Sequence, residues 1–67
     1  MEILLNNNIE FIDAEAISVQ ELLLYKNFTF RMLVIKINGQ LVKKDQYTSA
    51  MIHHGDQVQV IHLVSGG

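Results

Sequence analysis

The fold is decided by seven consecutive residues in the middle of the chain, Leu33-Val34-Ile35-Lys36-Ile37-Asn38-Gly39. Every second residue from Leu33 to Ile37 is a large aliphatic one, so the segment predicts a strand with one buried face. Asn38-Gly39 follows at once, and this pair is the strongest short signal for a two-residue hairpin turn. We therefore predict a strand over Arg31–Asn38 and an antiparallel return over Gln40–Lys43.

A second hairpin is predicted at the start of the chain. Met1–Asn6 is mostly apolar, Asn6-Asn7-Asn8 is typical of a turn because asparagine tolerates positive φ, and Ile9–Asp13 returns as a strand. Four apolar side chains are expected to share one face of this hairpin: Ile3, Leu5, Ile9 and Phe11.

One main helix is predicted over Val19–Lys26. It begins at a capping box, Ser18-Val19-Gln20-Glu21, in which the Ser18 hydroxyl accepts a backbone N–H and Glu21 reaches back to the Ser18 N–H. Asn27 is expected to take the left-handed conformation after the last turn, with Phe28 folding back over it.

The pattern of the remaining residues predicts one more strand. Lys44–Ile52 has a mixed pattern with a short helical turn around Tyr47 and Met51, His54-Gly55-Asp56 is a turn, and Gln57–Val64 is the final strand. The order β-β-α-β-β-β predicts an α+β domain, residues 1–64, with a mixed sheet of four or five strands on one helix. Residues 65–67 are predicted to be a flexible tail.

Composition limits both the architecture and the chemistry. The chain has 67 residues, 49% of them hydrophobic, and no cysteine. A chain this short buries only about 60% of its unfolded surface, which allows one core. Disulfides, thiolate nucleophiles and cysteine zinc sites are excluded. A net charge of −2 with five basic residues argues against nucleic-acid binding. Without a signal peptide or a membrane-length apolar run, we expect a soluble, cytoplasmic protein.

No catalytic constellation is visible in the sequence. His53 and His54 are adjacent and His62 is distant, so the histidines lack a recognised zinc spacing. The serines have no indicated base and orienting group. We therefore predict no catalytic residue and no metal site.

The final strand is apolar on both faces, although one helix covers only one face of a sheet. If Val58 and Val60 point towards the helix, Ile61 and Leu63 point outward. Leu4 and Val34 are expected to extend this patch, and we predict a partner-docking surface there. Coverage by loops or by a second copy is the alternative, since exposed apolar residues are common.

The last residues, Ser65-Gly66-Gly67, suggest a different kind of site. Two residues without Cβ make a thin segment that a narrow active site can admit. The Gly67 carboxylate is then a candidate substrate of another enzyme, and an inert, frayed tail is the alternative.

Several of these features coincide in register: Ser18-Val19 at the helix start, Asn38-Gly39 after an apolar strand, Gly55-Asp56 before the last strand, and Val64-Ser65-Gly66-Gly67. In these features essentially the whole chain resembles the ThiS family, the ubiquitin-like sulfur carriers of thiamine biosynthesis. The resemblance implies a β-grasp fold and a carrier that is not itself an enzyme.

It also implies a reaction sequence. A ThiF-type, E1-like adenylating enzyme would use ATP and magnesium to join AMP to the Gly67 carboxylate. Sulfur from a donor such as a cysteine desulfurase would replace AMP, and a ThiG-type thiazole synthase would take sulfur from the thiocarboxylate. Ser65 and Gly66 would enter the partner active sites, while Ile61 and Leu63 would dock. The carrier itself would bind no cofactor.

Three positions depart from the family pattern: Ser65 replaces a frequent glycine, Lys43 a frequent proline, and His54 a frequent aspartate. A MoaD-like carrier for molybdopterin synthesis is the nearest alternative, although such carriers are usually longer and often have prolines before the final segment. A β-grasp interaction module with an inert tail is the alternative from another class.

Overall fold

A computed structural model describes residues 1–29 and 31–63 of the chain. Its elements are β1 (Glu2–Leu5), β2 (Asn8–Phe11), β3 (Ala16–Ser18), α1 (Val19–Tyr25), β4 (Leu33–Ile37), β5 (Gln40–Val42), a 3₁₀ turn (Lys44–Gln46), β6 (Met51–His53) and β7 (Gln57–His62). Within the described residues, five strands form a sheet in the order β2-β1-β7-β4-β5, and β3 pairs with β6. The predicted α+β class, with a mixed sheet on one helix, is confirmed.

The sheet is mixed because its central strand, β7, runs parallel to one of its two neighbours. β1 pairs with β7 in parallel, whereas the β1–β2, β4–β5 and β4–β7 pairs are antiparallel. Its inner face packs on α1, and one buried cluster joins the two layers: Ile3, Leu5, Ile12, Ile17, Val19, Leu22, Leu23, Ile35, Val42, Ile52, Val58 and Val60. Because burying such a side chain contributes about 1.5–3 kcal/mol, this cluster holds the helix on the sheet.

Both predicted hairpins form, and each turns through two residues with positive φ. The φ angles are 51° and 67° at Asn6 and Asn7, and 50° and 82° at Asn38 and Gly39. Positive φ at both central positions is the type I′ geometry, which matches the twist of the flanking strands. Leu5 therefore lies opposite Asn8, and Ile37 opposite Gln40.

The two-residue turn at Asn6-Asn7 corrects the register expected for the first hairpin. A turn of three residues would have placed Ile9 opposite Leu5, but the structure places Ile9 opposite Leu4 and Phe11 opposite Glu2. Since a shift of one residue exchanges the faces of a strand, Ile9 and Phe11 lie on the outer face of the sheet. The prediction that they share a face with Ile3 and Leu5 is wrong.

The helix ends are closed by local hydrogen bonds, as predicted. The Glu21 N–H donates to Ser18 Oγ (3.1 Å), and the Ser18 N–H donates to Glu21 Oε1 (2.9 Å). At the other end, Asn27 has a φ of 58°, and the Phe28 N–H donates to the Leu23 carbonyl at 2.8 Å. This is a Schellman motif, so the helix stops at Tyr25, one residue before the predicted end.

The ribbon of β3 and β6 was not predicted. Ile17 pairs with Ile52, and both side chains are buried. Met51, expected in a helical turn near Tyr47, instead begins β6. Strands of three residues have no periodicity to detect, and their partner is more than thirty residues away. Only the folded core brings them together.

Candidate docking surface

The outer face of the sheet, turned away from α1, holds the predicted docking residues. On β7, Val58 and Val60 are buried, and Ile61 is 43% exposed. Val34 lies directly opposite Ile61 in the antiparallel β4–β7 pair. Residues opposite each other in such a pair have Cβ atoms about 4.5–5.5 Å apart, so the two side chains form one apolar surface.

Leu63 continues this surface beyond the end of β7. Its N–H donates to the Met32 carbonyl at 2.9 Å, which extends the β4–β7 ladder by one step. Its side chain is 42% exposed. The structure therefore brings Val34, Ile61 and Leu63 to one end of the sheet, and we call these three residues the C-terminal cluster.

Leu4 does not lie beside this cluster. It is opposite Gln57, four residues before Ile61 on β7, which corresponds to roughly 13 Å along the strand. Leu4 instead lies opposite Ile9, with Phe11 next along β2 on the same face. Leu4, Ile9 and Phe11 form a separate N-terminal cluster, in which Phe11 is 70% exposed. Sequence reasoning missed this cluster because it assigned the first hairpin the wrong register.

The Asn6 side chain is hydrogen-bonded to the backbone of β7 near its end, a role that the sequence did not reveal. Its side-chain Oδ1 accepts from the Val60 N–H (2.9 Å), and its Nδ2 donates to the Val60 carbonyl (3.2 Å). The Asn6 backbone N–H also donates to the Val58 carbonyl at 2.9 Å. The amide thus pairs with β7 where β1 ends, next to Ile61.

A second amide fixes the beginning of β7. Asn38 accepts from the Gln57 N–H (2.9 Å) and donates to Asp56 Oδ1 (3.0 Å). The other Asp56 oxygen accepts from the His53 N–H at 2.8 Å. The Asn38-Gly39 and Gly55-Asp56 turns are therefore joined through side chains, and together they set where β7 starts.

The predicted sulfur-attachment residue, Gly67, lies outside the described residues, as do Ser65 and Gly66. Leu63 is the last residue that the structure describes. The C-terminal cluster consequently ends where the segment leading to Gly67 begins. The proposed roles of the three tail residues stay predictions.

Residues 1–29 and 31–63 contain no group of three or more histidine, aspartate or glutamate residues that could hold a metal ion. His54 Nδ1 accepts from the Glu2 N–H at 3.0 Å. No helix within these ranges is long and apolar enough to cross a membrane.

The mixed sheet with α1 on its inner face defines a ubiquitin-like β-grasp domain. The chain belongs to the ThiS family, whose family model matches residues 2–67. Two uncharacterized proteins named ycf40 are similar in sequence. The one from Porphyra purpurea is 35% identical over 54 residues, which cover 81% of this chain and 76% of that protein. The one from Trieres chinensis is 28% identical over 61 residues, covering 91% and 84%.

Solved structures support the same fold. A crystal structure of the thiamine biosynthesis protein ThiS from Geobacter metallireducens superposes with a TM-score of 0.89, covers 100% of both chains and is 23% identical. An NMR solution structure of a thiamine biosynthesis protein from the same organism gives a TM-score of 0.76 at 22% identity, covering 100% of this chain and 88% of that one. At these identities the likeness establishes the fold alone.

Proposed function

We propose that this protein is a sulfur carrier of thiamine biosynthesis, a substrate of partner enzymes rather than an enzyme. The observation that carries the proposal is the ThiS-family match, which extends from residue 2 to residue 67 and so includes Gly66-Gly67. The β-grasp fold agrees with it. The proposal takes Gly67 as the carboxyl-terminal residue.

In this function the reactive group is the Gly67 carboxylate, which is a poor electrophile until it is activated. A ThiF-type adenylating enzyme uses ATP and magnesium to join AMP to the carboxylate, and sulfur from a donor such as a cysteine desulfurase then replaces AMP. A ThiG-type thiazole synthase takes sulfur from the resulting thiocarboxylate. The carrier supplies the carboxylate and presents it, and the partners supply the catalysis. We expect these proteins to meet in the cytoplasm.

The C-terminal cluster supports this function because of its position. Val34, Ile61 and Leu63 expose apolar surface where the described chain ends, and such surface favours a protein contact. Four residues span at most about 13–14 Å, so a partner that takes Gly67 into its active site must place that site within this distance of Leu63. A partner docked on the C-terminal cluster meets that condition.

Intact-mass measurement tests the proposal. The protein is incubated with its adenylating enzyme, ATP, magnesium and a sulfur donor, and we expect a mass gain that matches the replacement of one oxygen by sulfur. A chain without Gly67 is the control and should gain nothing. Unchanged mass of the full chain under these conditions would contradict the proposal.

A second measurement assigns the pathway. The charged carrier is offered separately to thiazole synthase and to molybdopterin synthase, and sulfur transfer to thiazole synthase is expected. Transfer to molybdopterin synthase alone would replace the thiamine assignment by the MoaD-like alternative.

A further inference from the structure

A groove of about 550 Å³ lies beside the C-terminal cluster, between α1 and the strands β4 and β5. Its floor is apolar, with buried Leu23 and Val42 and half-buried Phe28 and Leu33. Leu63 and Val34 also line it, so the groove is continuous with the C-terminal cluster. Its volume lies in the range of pockets that hold a bulky side chain or a small ligand.

The charge around this groove differs from that of the rest of the molecule. Three of the five basic side chains line it, those of Arg31, Lys43 and Lys44, and none of the seven acidic side chains does. The one ion pair among the described residues joins Lys26 and Glu10, which lie elsewhere. A chain of net charge −2 therefore carries a local positive field at the end of β7.

We propose that this basic groove receives an acidic segment of the adenylating partner, with a large apolar side chain of that segment seated on the groove floor. The inference rests on the proposed function, because it takes the occupant to be the protein that activates Gly67. Charge complementarity defines the segment: three cations line a groove that no acidic residue lines, and this favours aspartate or glutamate around the apolar anchor.

A protein fits this groove better than a small anion. Arg31, Lys43 and Lys44 are exposed to solvent, and single exposed charges contribute little to the affinity of a free anion. The same charges accelerate the encounter with an oppositely charged protein, which also gains from the apolar surface shared with Val34 and Leu63. Because the groove lies next to Leu63, a protein that binds the tail is also in contact with the groove.

The test compares two double variants with the same change in net charge. K43Q/K44Q removes charge from the groove, while Q40E/Q57E adds negative charge at the opposite end of the sheet, on exposed side chains. Association with the adenylating enzyme is followed by stopped-flow fluorescence at about 50 mM and about 0.5 M salt. For K43Q/K44Q we expect association about three- to tenfold slower at the lower salt, with the difference largely gone at the higher salt, where screening is strong.

Several outcomes would overturn the inference. Equal association rates for K43Q/K44Q and wild type, or equal slowing by Q40E/Q57E, would remove the groove from the interface. If K43Q/K44Q slowed binding only to thiazole synthase, the groove would belong to the interface with that enzyme and not to the interface with the adenylating enzyme. A wild-type dimer in sedimentation that K43Q/K44Q dissociates would assign it to a second copy of this chain.

Failure of the groove inference is distinguishable from failure of the proposed function. If the wild-type chain gains no sulfur in the intact-mass assay, the proposed function fails and the identity of the partner fails with it. If the wild-type chain gains sulfur while K43Q/K44Q associates as fast as wild type, the groove inference alone is refuted. Circular dichroism and urea unfolding of K43Q/K44Q are expected to match wild type, since both lysine side chains are exposed.

Discussion

At its first residue β7 is joined to the neighbouring turns by side-chain hydrogen bonds, whereas its last residues lie beside exposed apolar and basic side chains. The Asn38 amide and the Asp56 carboxylate hold the first end. Ile61 and Leu63 lie at the other end, just beyond Val60, whose backbone is bonded by the Asn6 side chain. One end of this strand is therefore fixed by the turns of the fold, and the other is the end at which we propose that partners dock.

Removal of Gly67 should have the largest effect, and it should affect sulfur incorporation without affecting the stability of the fold. We expect no sulfur incorporation by intact mass and an unchanged free energy of unfolding, because a glycine has no side chain to bury in the core. A loss of stability above about 1 kcal/mol in urea unfolding would show that the tail also supports the fold.

Leu63→Asp should weaken binding to the adenylating enzyme by about thirtyfold, which corresponds to about 2 kcal/mol, because it places a charge in an apolar contact. Isothermal titration calorimetry measures the affinity. Phe11→Asp is the matched control, since Phe11 is also an exposed apolar residue but belongs to the N-terminal cluster.

We expect the Phe11→Asp variant to bind as tightly as wild type. Equal weakening by both variants would mean that the partner covers the whole outer face, and the distinction between the two clusters would then fail.

Asp56→Ala should lower the free energy of unfolding by about 1–2 kcal/mol and leave partner affinity unchanged. The change removes the acceptors of the Asn38 amide and of the His53 N–H, and bonds to a charged group contribute more than neutral ones. Urea unfolding measures the effect, with Asp45→Ala, an exposed acid on the 3₁₀ turn, as the control. Equal stability of the two variants would contradict the role given to Asp56.

Asn6→Gly should have the smallest effect, a loss of about 1 kcal/mol relative to Asn7→Gly. Both asparagines have positive φ, which glycine adopts without strain, so the difference between the variants isolates the two side-chain bonds to Val60. Amide exchange by NMR should be faster at Val60 in Asn6→Gly alone. Unchanged exchange at Val60 would show that the Asn6 side chain does not hold the end of β7.

Local patterns predicted most of the fold. The capping box at Ser18, the left-handed Asn27 and the turn at Asn38-Gly39 each depend on residues within a few positions of each other, and all three are present. The face of β7 that carries Ile61 was also predictable, because strand alternation is local. The β3–β6 ribbon was not, because its three-residue strands gain stability only when Ile17 meets Ile52 in the core.

The candidate docking surface was also predictable in part. Val34 and Ile61 were expected on one surface, and the antiparallel register of β4 and β7 places them side by side on the same face of the sheet. Leu4 was expected beside them, but the parallel pairing of β1 with β7 places it opposite Gln57. β1 and β7 lie near opposite ends of the chain, so no turn connects them and no local pattern determines their register.

By itself the sequence determined α1, the five strands of the main sheet and their order along the chain, since propensity, capping and turn chemistry act over a few residues. It also marked Gly67 as the candidate reactive end of a chain without cysteine. Only the tertiary structure decided which surfaces those elements share. It separated Leu4 from Ile61 and brought Arg31 to the groove with Lys43 and Lys44, because contacts between distant segments depend on packing around one core rather than on neighbouring residues.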